Sequence, residues 1–493
     1  MAQTAHIELS DNTAQAGPAL DADSCYQALL ARDTRFDGAF FVAVRTTGIY
    51  CRPICRVKPA LRRNCDFYAS AVAAESHGFR PCLRCRPELA PGYSEMEAHQ
   101  RLAALALDRI ESGVLAGESI EDIADELGVS TRHLRRTIKR ELGVTPVELA
   151  QTYRLHLARR LMSNANLKLT DIAFASGFTS LRRFNALFKQ RYALTPREFK
   201  RKRGQKTNTD RIHFDLTYRP PYDWDSLLAF FQSRAIPGIE AIRQNAYHRT
   251  VGLRDCKGTI TVTHEPHQNC LRVYIDQTLL PVLTLIINRL QRQFDLRCDP
   301  DAIQIQLGTL AEPRPGLRLP GAFDGFEVAT RAILGQLISV KAANTLAARF
   351  TAASGTPIDT GQSDLHLLTP DAQTVARLKA DAIHAVGIPL KKAESILALA
   401  KAVRDNRIEL TPTLNITQQM QTLTDLPGIG SWTAEYIAMR VLAWPDAFPH
   451  TDLGIRKALN TKSNARILRM AEAWRPWRSY AAMHLWNSLE PSA

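Results

Sequence analysis

The sequence predicts a multidomain, mainly α protein: a small α+β domain, an all-α doubled helix-turn-helix, and an α+β subdomain running into a second all-α domain. Three observations predict it. Four cysteines are paired closely in "GIYCRPICR" (48–56) and "GFRPCLRC" (78–85). A helical stretch then contains a near-repeat, "IEDIADELGVSTRHLRRTIKRELGVTP" echoed by "LTDIAFASGFTSLRRFNALFKQRYALTP". Beyond it, strand-like alternation in "TITVTHE" and "NCLRVYID" gives way to nearly unbroken helical periodicity.

The 493 residues suit about two to four domains, with Lys plus Arg at 63, Asp plus Glu at 49, and a net charge of +14. That surplus favours a polyanionic partner, nucleic acid before membrane; a merely basic soluble enzyme would show the same balance. The first residues lack a basic and an apolar signal segment. The most apolar run, "LLPVLTLIINRL", is too short to span a bilayer. A cytoplasmic protein without membrane association is expected, and disulfides are rare there.

In chain order, residues 1–20 read as a flexible polar tail and 21–92 as the cysteine-bearing domain. Residues 98–203 carry the doubled motif, each copy reading helix, glycine turn, helix, Thr-Pro. The basic stretch 204–213 reads as a linker. Residues 214–312 form the α+β subdomain and 313–493 the helical domain.

Cys51 and Cys55 are spaced C-x3-C, Cys82 and Cys85 C-x2-C. Both spacings let sulfurs converge on one tetrahedral ion, and four thiolates on Zn²⁺ are favoured over disulfides. A closed site of this kind serves equally as a purely structural knot. Arginines crowd it, among them Arg52, Arg56, Arg80 and Arg84, and could hold a phosphate backbone beside a nucleophilic thiolate. Cys25 and Cys65 fit neither spacing and read as core residues.

"FFVAVRTTGIYCRPICR" and "FYASAVAAESHGFRPCLRC", in that order, resemble the Ada-type N-terminal domain of bacterial methylation-response proteins. The resemblance implies that Cys51 irreversibly accepts a methyl group from a DNA methylphosphotriester, with Cys55, Cys82 and Cys85 as the other zinc ligands. Four thiolates on Zn²⁺ carry about −2; methylation of one would lower this to about −1 and relieve repulsion from phosphates. Full-length Ada-type proteins also carry a Pro-Cys-His-Arg active site, which is absent here.

In the first repeat Leu134 and Ile138 share one helical face, leaving Arg132, Arg135 and Arg136 off it. In the second, Phe184, Leu187 and Phe188 form the stripe, leaving Arg182 and Arg183 available. A buried stripe with a basic opposite face suits a helix in the major groove; a helical bundle with a solvated basic face is the plainer alternative. The two units, joined by "PVELAQTYRLHLARRLMSNA", resemble the AraC-type DNA-binding domain. That implies promoter binding and RNA polymerase as a further partner, in a bacterial, nucleoid-associated setting.

"LTDLPGIGSWTAEY", with Gly428 and Gly430 in its turn, offers backbone N–H groups to a DNA phosphate. With "FPHTDLGIRKAL", "WRPWRSYAAMHLW" and "LRLPGAFDGFEVATRAILGQLISV" it resembles the helix-hairpin-helix DNA glycosylases, within them the AlkA type, 3-methyladenine DNA glycosylase II. The resemblance implies Asp452 as the catalytic carboxylate, Trp432, Tyr436 and Trp486 as pocket aromatics, and Leu337 as the wedge filling the gap left by a flipped nucleotide. Asp452 also reads as a helix N-cap, the aromatics as core, and Leu337 as a core leucine. Trp432 stands where bifunctional members carry a Schiff-base lysine, so hydrolysis without strand cleavage is implied. No cysteine follows Cys298, which excludes the iron–sulfur cluster of other members.

The expectation is therefore a zinc-bound α+β domain, a double helix-turn-helix, and an α+β subdomain followed by a helix-hairpin-helix glycosylase domain. Its partner is double-stranded DNA, met as methylated backbone, promoter sites and alkylated bases. A regulator with a catalytically silent glycosylase-like half is the alternative.

Overall fold

The computed structural model describes residues 22–32, 37, 40–68, 71–85, 87, 102–103, 105–107, 109–110, 119–162, 167–203, 212–413 and 416–489. The expected tail, 1–20, and all of the expected linker except 212 and 213 lie outside them. The chain forms two compact units, 1–100 and 101–493.

In the first unit a four-stranded sheet runs in the order β3-β1-β2-β4, with β1 Phe41–Val44, β2 Ile49–Cys51, β3 Cys65–Tyr68 and β4 Arg80–Pro81. β1 pairs antiparallel with β2 and β3, while β2 pairs parallel with β4. The helix Ala22–Ala31 buries Cys25, Ala28 and Leu29 with Phe40, Val42 and Cys65 on one side of the sheet. Cys25 and Cys65 are therefore core residues.

The second unit begins with the doubled motif, and equivalent residues start the helices of both copies. Ser130 accepts from His133 N–H and Ser180 from Arg183 N–H at the second helices. Thr145 with Glu148, and Thr195 with Glu198, form reciprocal capping boxes where Thr-Pro ends each copy. Gly128 and Gly177 adopt φ of 66° and 82° in the turns, which a side chain would strain. Leu134 and Ile138 are fully buried, as are Phe184 and Phe188.

A five-stranded antiparallel sheet follows in the order β5-β9-β8-β7-β6. Its strands are β5 Ile212–Thr217, β6 Glu240–Arg243, β7 Ala246–Leu253, β8 Cys256–Glu265 and β9 Cys270–Ile275. Period-2 alternation buries Ile260 and Val262 on one face. The helices 224–232 and 283–293 cover the sheet, and a helical domain from Gly325 to Asn487 completes the unit.

The double helix-turn-helix is not a bead on a string. The helix Pro146–Leu161 packs on the edge strand β5, and Leu155, Leu161 and Ile172 belong to the same buried cluster as Phe214, Leu216 and Leu279. Arg109 adds a polar clasp, donating to Glu409 at 2.6 Å and Thr411 at 3.2 Å in the helical domain while pairing with Glu126 of the first repeat. No helix among the described residues is long and apolar enough to cross a membrane.

Candidate functional site

In the first unit β2 ends on Cys51, the turn after it brings back Cys55, and the segment after β4 supplies Cys82 and Cys85. The parallel pairing of β2 with β4 holds the two pairs side by side. All four sulfurs are buried, unbridged, and within 4.8 Å of one another. Hydrogen bonds to Cys55 and Cys85, with burial, push the Cys51 thiol up. Four such thiols ionise together only around a cation, and Zn²⁺ fits this donor set.

The surrounding arginines divide into two groups. Arg52 is 1% exposed and donates from Nε to Asp37 at 2.7 Å, while its backbone N–H points at Cys85 Sγ, 3.4 Å away. It braces the cysteine turn and is not available to phosphate. Arg56, Arg80 and Arg84 are exposed.

The arginines expected to face DNA in the second unit are all exposed: Arg132, Arg135, Arg136, Arg182 and Arg183. Arg135 pairs with Glu121 at 2.9 Å, an exposed contact worth little energy.

The glycosylase-like half gathers Asp452, Trp432, Tyr436 and Trp486 around one cavity of about 300 Å³. Asp452 caps the helix Leu453–Ala458. Its Oδ1 accepts from Gly454 N–H at 2.8 Å, Ile455 N–H at 3.1 Å and Trp486 Nε1–H at 2.8 Å. Its Oδ2 accepts from Trp432 Nε1–H at 2.9 Å. The capping carboxylate thus also lines the cavity, and two indoles aim it. Trp432 stacks on Tyr436 at 5.4 Å and 19°, and Trp486 closes the far side at 6.3 Å. These rings line the cavity while half-buried, so they are wall and not core.

Gly430 caps the helix Ser431–Arg440 that carries Trp432 and Tyr436. Gly428 has φ of 77°, and a Cβ there would sit 2.0 Å from Ser395 Oγ, so only glycine fits the turn. Leu337 is completely exposed at φ of 60°. A branched residue in the left-handed region, bare to solvent, is not a core leucine.

Sequence reasoning missed the opposite wall. Phe230 and Arg234, from the α+β subdomain, face the aromatics, with the Arg234 guanidinium 3.7 Å from the Phe230 ring centre. Phe230 sits in "PPYDWDSLLAFF", yet no local pattern placed it near residues two hundred positions later. Arg440 donates to the Tyr436 hydroxyl at 2.6 Å. Burial pushes that hydroxyl up, but Arg440, Arg234 and Arg331 outweigh it and leave it below the usual tyrosine range. The cleft is therefore not simply electron-rich. Arg249 and Arg331 are matched by Glu240 and Glu327, including an Arg249–Glu327 pair at 2.9 Å.

Four family descriptions match the chain. They are the metal binding domain of Ada over 24–88, a helix-turn-helix domain over 123–202, the AlkA N-terminal domain over 213–324, and the HhH-GPD superfamily base excision DNA repair protein over 330–478. Fold and sites together define a composite regulator and DNA repair protein. A relative from Mycobacterium tuberculosis (strain CDC 1551 / Oshkosh), a probable bifunctional transcriptional activator/DNA repair enzyme AlkA, is 37% identical over 486 residues, covering 95% of this chain and 97% of the relative. The chain belongs to this family of bifunctional transcriptional activator/DNA repair enzymes. DNA-3-methyladenine glycosylase 2 of Escherichia coli (strain K12) is 37% identical over 55% of this chain and 96% of its own length. The bifunctional transcriptional activator/DNA repair enzyme Ada of the same organism is 36% identical over 36% of this chain and 49% of its own length.

Proposed function

We propose that the chain joins two repair reactions to one transcriptional switch. Residues 21–92 act as a single-use methyl acceptor, 98–203 as a promoter reader that engages RNA polymerase, and 214–493 as a monofunctional DNA glycosylase releasing alkylated purines such as 3-methyladenine. Asp452, held by two indole and two backbone N–H groups at the mouth of an aromatic cavity, carries the glycosylase reading.

In base excision, Leu337 fills the stack while the nucleotide turns out between Trp432, Tyr436 and Trp486. As the glycosidic bond breaks, the Asp452 carboxylate faces the developing oxocarbenium and orients water. A base that already carries positive charge leaves without a general acid. Gly428 and Gly430 present backbone N–H groups to one phosphate. No lysine follows the hairpin, so the product is an abasic site in an intact strand.

In methyl transfer, Cys51, Cys55, Cys82 and Cys85 would hold zinc, which would keep their sulfurs deprotonated at neutral pH. Cys51 Sγ forms a bond to the methyl carbon as the carbon–oxygen bond of the phosphotriester breaks, leaving S-methylcysteine and an ordinary phosphodiester. Arg56, Arg80 and Arg84 are exposed to hold the backbone. The lost negative charge strengthens DNA binding, and the Arg132–Arg136 and Arg182–Arg183 faces then read the promoter.

The test is mass spectrometry of the full chain after exposure to N-methyl-N-nitrosourea-treated duplex DNA, with chromatography of the released bases. The expected result is one added methyl on Cys51 together with free 3-methyladenine. An adduct on another residue, or persistent uptake by Cys51→Ala, would overturn the acceptor assignment. Absence of released base would reduce the second unit to a regulator.

A further inference from the structure

The cavity wall holds one side chain whose state the proposed chemistry leaves unexplained. Gln293, the last residue of the helix Leu283–Gln293, is 2% exposed and lines the cavity, yet its Oε1 accepts no hydrogen bond. Its neighbours in the wall are well supplied. Glu327 Oε2 accepts from Arg249 and Thr369, both at 2.9 Å, and Glu240 accepts from Tyr247 at 2.6 Å and from Arg331. Only Arg331 Nε shares the condition of Gln293 among the described residues of the wall.

The placement of Gln293 is built. Gly321 N–H donates to its carbonyl at 3.0 Å, and a Cβ on Gly321 would lie 2.1 Å from Arg292 O and 3.3 Å from Gln293 Cα. The chain at 321 is thus pressed against the helix end and fixes Gln293 at the wall. A buried amide oxygen without a donor is costly unless a ligand supplies one.

We propose that Gln293 is a specificity-determining residue that reads the hydrogen-bonding edge of the flipped-out purine. This rests on the glycosylase reading above. A carboxamide offers one acceptor beside one donor. Adenine presents its amino group next to a ring nitrogen, and Gln293 matches that pair as glutamine does elsewhere. Guanine presents the reverse, a carbonyl next to a ring N–H, and a half-turn of the amide matches that too. The residue thereby admits both damaged purines while an edge lacking either pattern leaves it unpaired.

The experiment compares wild-type full-length protein with Gln293→Leu and Gln293→Glu. Single-turnover release of 3-methyladenine and 3-methylguanine from methylated duplex is measured, with binding to abasic duplex and thermal melting. A fluorescence arm titrates free 3-methyladenine against the cavity tryptophans. Leucine should lower release of both bases by about ten- to a hundredfold and weaken the free base similarly, with abasic binding and melting temperature undiminished. Glutamate, acceptor only, keeps one bond and faces one lone pair at either edge, so release of both bases should fall alike, by about tenfold or more. Unchanged release and affinity in Gln293→Leu, or losses that merely follow a lowered melting temperature, overturn the proposal. A wild-type chain that excises nothing overturns the glycosylase reading, and the fluorescence arm then still decides the role of Gln293.

Discussion

Asp452→Asn changes one atom and almost no volume. Oδ1 keeps its three donors, Gly454, Ile455 and Trp486. The new amide nitrogen takes the place of Oδ2 and faces Trp432 Nε1–H, donor against donor at a separation now 2.9 Å. One hydrogen bond is lost and a half-buried indole N–H is left unsatisfied, a cost of about 1–3 kcal/mol in stability. The larger effect is electrostatic. A full negative charge about 4 Å from the developing oxocarbenium, at an effective dielectric of about 20, contributes about 4 kcal/mol. Its loss slows bond breaking by about a thousandfold. The assay is single-turnover release of 3-methyladenine from methylated duplex, with fluorescence anisotropy on abasic duplex and near-ultraviolet circular dichroism as controls. Anisotropy should change little, because Gly428, Gly430 and Leu337 are untouched. Excision within about tenfold of wild type, in a folded variant, would refute the electrostatic argument and move catalysis to another group.

Other outcomes follow from the packing and from buried charge. Arg109→Ala removes the cation between Glu126 and Glu409 and leaves two carboxylates facing one another, so thermal melting should fall by an amount equivalent to about 1–3 kcal/mol; an unchanged melt would show that the clasp is ornamental. Acid stability involves two opposed groups. Burial pushes His484 down to about 4, so its contribution is whole above about 6.5 and is lost as pH falls through 4. Burial pushes Asp295 up to about 6, so its contribution is whole below about 3.8 and is lost as pH rises through 6. Removing the second by Asp295→Asn should therefore steepen the loss of stability between about pH 6.5 and 4.5 by about 2 kcal/mol, measured by urea melts. An equal slope in both proteins contradicts the assignment.

Much of the site was legible because its chemistry is local. Cys51 with Cys55 and Cys82 with Cys85 lie within single turns, so spacing alone brings each pair together. Ser130, Thr145, Ser180 and Thr195 bond to backbone a few residues on, and the near-repeat displayed them twice. Asp452 was readable as a cap and, by resemblance, as a site residue; the structure shows the cap and sets the same carboxylate in the cavity wall. What escaped was long-range. Nothing around Arg52 announces that it will be buried against Asp37, and nothing around Gln293 distinguishes it from any amide ending an amphipathic helix. The charged lining also escaped, since Arg234, Arg331 and Arg440 come from three separate segments and converge only in the folded chain.

The helix Pro146–Leu161 lies along β5, an outer strand of the five-stranded sheet. Bare outer strands recruit foreign strands, and proteins blunt them with charge, proline or a covering element. Here the doubled helix-turn-helix serves as that cover. A shortened protein starting at Ile212 would strip it away and offer the outer edge of β5 to other copies of itself, so gene fragments meant to isolate the C-terminal half should keep residues 146–203 or expect clumping.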